Sequence, residues 1–270
     1  MQNKLVTWAS IAALAYLIPT AVAHAEPQAP NSAPATTGKA PVTIVLVHGA
    51  WADGSSWDRV VPMLEAKGFN VVSVHLPLTS SADDVAATTR AIDRQAGDVV
   101  LVGHSYGGFV ISEAGNDPKV KSLVYVCAFG LDDGESINGL SKNNPPAWVK
   151  ALQVDSGGFA WLPPEEISKD FAQDVPASDQ KLITAKQGPI PVKYFDEVMK
   201  NPAWKSKPSW YVRGTADHMI DPAAQASMAK RMKATTTSIN SGHVAMLSKP
   251  RQVANVILDA AGAPAATARK

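Results

Sequence analysis

Val99-Val100-Leu101-Val102-Gly103-His104-Ser105-Tyr106-Gly107-Gly108 is the stretch from which the rest of the chain can be read. Its first four residues are aliphatic without a polar interruption, as in a strand buried on both faces. The run then breaks into the spacing G-x-S-x-G at Gly103, Ser105 and Gly107. A serine hydroxyl is a weak nucleophile at neutral pH. It needs a base within hydrogen-bond reach, and donors facing the charge that develops on an attacked carbonyl. A sharp strand-to-helix turn meets both needs, because it lifts the serine clear of the sheet and turns the next helix N-terminus toward the reaction. Small residues two before and two after the serine make that turn possible, and a helix is expected over Phe109–Ala114.

Outward from this turn, short apolar runs alternate with helical stretches. Thr43–Val47, Val71–Val74, Leu123–Val126, Trp210–Val212 and Thr236–Ile239 join Val99–Val102 as strands. Helices are predicted over Trp57–Ala66 with Pro62 as a blemish, Ala82–Arg94 capped by Ser81, Ala223–Met232 and Arg251–Ala260. Such alternation predicts an α/β fold, a mostly parallel sheet covered by helices on both faces. Residues from about 131 to 208 break the alternation with prolines, glycines and aromatics, and read as a cap inserted over one end of the sheet.

A nucleophilic serine requires a base, and the sequence has six histidines. His48, His75 and His104 sit at strand ends and read as structural. His218 directly follows an aspartate that would compete for its space. His243, in Asn240-Ser241-Gly242-His243 after the last strand, has the loop position a base needs. The acid that orients it is expected at Asp217, at the end of the preceding strand. Asp221, Asp132 and Asp133 are its rivals.

Composition narrows the function classes. With 25 Lys plus Arg against 24 Asp plus Glu, and no basic run, the chain has no field to capture nucleic acid. A single cysteine, Cys127, precludes an internal disulfide, and no His or Cys pair recurs at metal-ligand spacing. Met1–Ala25 has a short start containing Lys4, a mostly apolar Leu5–Pro19, and Ala23-His24-Ala25, so it reads as an export signal. Its apolar stretch is shorter than the roughly 20 residues that span a bilayer, so no stable membrane anchor is expected. Residues 26–41 read as a Pro/Ala-rich tether, 42–262 as one folded domain and 263–270 as a tail. The mature chain is expected in a bacterial periplasm or secreted.

Val45-Leu46-Val47-His48-Gly49-Ala50-Trp51, Gly103–Gly108, Gly214-Thr215-Ala216-Asp217 and Ser241-Gly242-His243 together resemble the α/β-hydrolase fold family over residues 42–261. The likeness is to small bacterial esterases similar to plant methyl esterases and hydroxynitrile lyases. This resemblance implies a cofactor-free serine hydrolase acting on a small-molecule ester, with the N–H groups of Ala50 and Tyr106 as oxyanion hole. Trp51 is the alternative second donor, or a wall of the pocket. Those lyases carry a threonine where this chain has Gly49, which disfavours lyase chemistry. Cap aromatics, Trp161 among them, suit a mostly apolar binding pocket.

Overall fold

The computed structural model describes residues 41–142 and 145–262. The expected export signal, nearly all of the tether and the tail lie outside them. Strands β1 (Thr43–Val47), β2 (Asn70–Val74), β3 (Val99–His104) and β4 (Val120–Val126) precede the cap region, and β8 (Ser209–Gly214) and β9 (Thr235–Ile239) follow it. They form one sheet in the order β2-β1-β3-β4-β8-β9, with every neighbouring pair parallel. All six expected strands are present. Every residue of β1 and β3 is buried, which is why Ile44–Val47 and Val99–Val102 are continuously apolar. Edge strand β9 exposes Thr235, Thr236, Thr237 and Ser238, where threonine supplies a β-branched shape without exposing an aliphatic surface.

The crossovers set the layers. From β1 the chain runs outward to β2 through α1 (Val61–Glu65), then reverses across the sheet to β3 through α2 (Ser81–Asp93). Right-handed connections therefore place α1 and α2 on opposite faces. Helix α3 (Gly107–Ala114) packs on α2, whereas α9 (Pro250–Ala260) packs on α1 and beneath β4 and β8. Helix α9 buries Val253, Ala254, Val256 and Ile257 along one stripe. Helix α7 (Pro222–Arg231) lies between β8 and β9, and α8 (Ala245–Ser248) leads into α9. Between β4 and β8 the chain forms α4 (Ile137–Ser141), β5 (Gln153–Val154), β6 (Phe159–Trp161), α5 (Pro164–Glu166), α6 (Ala177–Lys186) and β7 (Ile190–Pro191). Strands β5, β6 and β7 make a small antiparallel sheet of their own.

Two local expectations are corrected. The stretch Trp57–Ala66 is a 3₁₀ turn over Gly54–Trp57 followed by the short α1, in whose first turn Pro62 sits where its missing N–H is harmless. The cap of α2 is Ser80, whose side chain accepts from Asp83 N–H, while Ser81 Oγ donates to Glu197. Among the described residues no helix is long and apolar enough to cross a membrane.

Leu101 is fully buried in central strand β3. Leu101→Ala is expected to cost about 2–5 kcal/mol, and Thr236→Ala on the exposed edge under about 0.5 kcal/mol; urea unfolding midpoints measure both.

Candidate active site

Ser105 follows β3 with φ of 54°, a left-handed conformation uncommon for a residue with a side chain. The strain is held by close packing on either side. A Cβ at Gly103 would lie 2.5 Å from Gly107 O, and one at Gly107 would lie 2.7 Å from His48 O. Only glycine lets α3 start this close to the ends of β1 and β3. Gly49 is constrained as well, since a Cβ there would meet Ser105 Cβ at 2.7 Å. This leaves no room for a larger side chain at that position. The peptide joining Ser105 to Tyr106 is fixed through its carbonyl, which accepts from Gly108 N–H at 2.9 Å and Phe129 N–H at 3.1 Å.

His243 and Asp217 meet at the C-terminal ends of the strands. His243 Nδ1 donates to Asp217 Oδ2 at 2.9 Å, and both residues are buried. That bond fixes the tautomer with Nδ1 protonated, leaving Nε2 as an acceptor. Asp217 also takes Met219 N–H at 2.8 Å and Ile220 N–H at 3.0 Å on Oδ1, and Gln225 Nε2 at 2.7 Å on Oδ2. His243 is tied to the residue before Ser105, because His104 Nε2 donates to His243 O at 3.0 Å and the two rings lie 4.7 Å apart. Phe171 from the cap packs edge-on against His243 at 5.4 Å.

The other candidates are occupied elsewhere. Asp221 caps α7 by accepting from Ala223 N–H, and Asp132 and Asp133 bind Lys205. His218 contacts Asp170. His48 links two loops, donating from Nδ1 to Gly49 O and accepting Leu76 N–H on Nε2; burial pushes its pKa down to about 4, so it stays neutral. Burial likewise holds His104 well below the usual histidine range. The Cys127 thiol is fully buried, and burial pushes its pKa up, so it remains protonated and unreactive.

A narrow pocket adjoins Ser105, with Ala50, Trp51 and Tyr106 on the core side. Its other walls are Phe129, Ile137, Trp148, Phe195, Met219 and Ile220, six apolar side chains that also line a neighbouring recess. Trp51 lines the cavity, and its indole N–H donates to Ala160 O in the cap. Trp161, the next residue, lies on β6 and is not among the cavity walls. The aromatic walls contributed by the cap are Trp148 and Phe195.

Residues 44–256 match the model of the alpha/beta hydrolase family. The chain belongs to that family. A pyrethroid hydrolase of Sphingobium wenxiniae is 29% identical over 253 residues, covering 82% of this chain and 88% of its own. Methylesterase 3 of Arabidopsis thaliana is 25% identical, covering 81% of this chain and 95% of its own. The crystal structure of a pyrethroid hydrolase from Sphingobium faniae superposes with a TM-score of 0.73 at 26% identity, covering 83% of this chain and 99% of that one. The likeness to bacterial esterases and plant methyl esterases read from the motifs is borne out within this family.

Several residues that shape the site escape a reading of motifs. Gln225, fully buried on α7, donates to Asp217 Oδ2 and to Ile220 O while accepting Gly214 N–H, yet nothing local in α7 marks it. Cap residues Gln173 and Asp174 bridge the two loops that carry the acid and the histidine: Gln173 donates to Ala216 O, and Asp174 accepts Gly242 N–H at 2.7 Å. Asp84 has a visible signal, because it shares the buried stripe of α2 with Thr88 and Ile92 at a spacing of four. It is fully buried, and burial raises its pKa to about 6. An acid whose folded pKa lies above its unfolded value favours the protonated chain, so its contribution to stability falls as pH rises from about 4 through 6. Relative to wild type, Asp84→Asn is therefore expected to gain about 1 kcal/mol between pH 5 and pH 7, read from urea unfolding at the two pH values.

Proposed function

We propose that the protein is an exported serine hydrolase that cleaves carboxylic esters of small, mostly apolar molecules. The observation that carries the reading is the buried His243–Asp217 hydrogen bond, held by His104 beside a Ser105 in a left-handed turn. In this mechanism His243 Nε2 takes the proton of Ser105 as Oγ attacks the ester carbonyl. The N–H groups of Ala50 and Tyr106 receive the oxyanion, and Asp217 stabilises the imidazolium through Nδ1. The alcohol leaves with the proton from His243, forming an acyl-serine, and water repeats the sequence to release the acid.

The apolar walls around Ser105 favour neutral, apolar or aromatic esters over charged ones, because desolvating an ion without a partner is costly. Relatives named as a pyrethroid hydrolase and a methylesterase support ester hydrolysis. Export rests on the apolar Leu5–Pro19 and the small-x-small Ala23-His24-Ala25.

Two measurements test these proposals. A fluorophosphonate is expected to add once to the wild-type protein and not to Ser105→Ala, whose ester turnover falls by about 10³ or more; an unlabelled folded wild type, or an active Ser105→Ala, overturns the mechanism. Intact mass of the protein recovered outside the cytoplasm should correspond to a chain beginning at Glu26, and a recovered chain that retains Met1 overturns export with cleavage.

A further inference from the structure

Tyr106 carries two groups with different tasks. Its backbone N–H is one of the two donors assigned above to the oxyanion. Its side chain is buried and points away into the interior, where its hydroxyl donates to Asp84 Oδ2 at 2.9 Å. The other oxygen of Asp84 accepts Leu78 N–H at 2.8 Å. The charged groups acting on Asp84 are Asp83 on its own helix and Glu197 from the cap, both acids. The Tyr106 ring also stacks on Phe109 at 6.1 Å and meets Tyr194 of the cap at 5.5 Å.

A carboxyl group in this position is costly. Burying it without a cation forfeits hydration that two hydrogen bonds only partly replace, and an apolar side chain would fill the same stripe of α2 without that penalty. What the carboxyl supplies, and an apolar group cannot, is a directional acceptor at the far end of the Tyr106 ring. The Ser105–Tyr106 peptide is already held at its carbonyl by Gly108 and Phe129 N–H groups. A tether on the tyrosine hydroxyl restrains the other side of the same peptide, through Cα and the rigid ring. Together these contacts set the direction of the Tyr106 N–H, and transition-state stabilisation by a fixed dipole depends on that direction.

We propose that Asp84 is a positioning residue for the oxyanion hole, tethering the Tyr106 hydroxyl so that the Tyr106 N–H stays aimed at the developing negative charge. The proposal rests on the serine-hydrolase reading above. Asp84 touches no substrate and exchanges no proton in the reaction. Its effect is confined to the orientation of one donor.

The test is a double-mutant cycle of Asp84→Asn and Tyr106→Phe, with kcat and KM measured on p-nitrophenyl acetate. Tyr106→Phe removes a single oxygen and keeps the ring packing, so it carries the test if Asp84→Asn does not fold. Tyr106→Phe is expected to lower kcat about tenfold with KM within about twofold. Asp84→Asn should have a smaller effect, since the amide still offers the tyrosine oxygen a weaker, neutral hydrogen bond. In the Tyr106→Phe background Asp84→Asn should change kcat no further, because both substitutions cut one tether. The inhibition constant of an aryl trifluoromethyl ketone, whose serine adduct places an oxyanion on the same N–H groups, should rise by the same factor as kcat falls. A merely structural Asp84 would lower the thermal midpoint and leave both quantities unchanged. If wild type labels with fluorophosphonate and turns over while kcat of Tyr106→Phe is unchanged, or if the two losses multiply, the positioning role is overturned and the hydrolase reading stands. If wild type neither labels nor turns over, both fall.

Discussion

The turn at Ser105 is the constraint on which the rest of the structure depends. A serine at φ of 54° is tolerable only where the surrounding backbone over-determines it. Here that determination comes from contact distances: Gly103 against Gly107, Gly107 against the carbonyl at His48, and Gly49 against Ser105 itself. Each contact excludes a methyl group. The end of β1, the end of β3 and the start of α3 are thereby locked into one arrangement, in which Ala50 and Tyr106 line the same pocket as the serine. The buried, uninterrupted β1 and β3 are the rigid base from which that arrangement is built.

Around the turn, polar groups are buried but their roles are fixed by specific partners. His48 and His104 remain neutral because burial penalises their charged forms. Asp217 gathers two backbone N–H groups, the Gln225 amide and His243, so its carboxylate is both stabilised and aimed. The cap contributes to this order as well as covering it. Gln173 and Asp174 hold the loops of the acid and the histidine, and Trp148 donates to Met219 O, two residues after Asp217. Substrate access and alignment of the site therefore depend on the same segment.

Much of this was legible in the chain. Six apolar or β-branched runs mark six strands, the central ones because burial on two faces leaves little freedom of residue type and the edge strand β9 because threonine keeps a β-branched shape at the surface. Ser105, Asp217 and His243 stand out because the chemistry demands those residue types after strands, and the structure brings the acid and the histidine together. Local preference marks Ser81 as a cap and Pro62 as a helix fault, whereas Ser80 accepts from Asp83 N–H and Pro62 sits in the first turn of α1, a difference of one residue and of one turn that preference alone does not resolve. The aromatic character of Trp161 suggests a pocket wall, yet Trp161 lies outside the walls and Trp51 binds the backbone carbonyl of its neighbour Ala160, a contact that no side chain signals.

The sequence by itself determined the sheet, the glycine-bounded turn and the residue types able to perform acyl transfer, since these are written in local periodicity and in short spacings. Only the tertiary structure decided the strand order, the partners of the acid and the walls of the cavity. It also revealed Gln225, Gln173 and Asp174 as partners of the segments that carry the acid and the histidine, and Asp84 as the partner of the Tyr106 hydroxyl. These residues act through one to three hydrogen bonds to atoms outside their own elements, and such contacts leave no periodicity in the chain. Their roles exist only once packing has brought the separate segments within about 3 Å of one another.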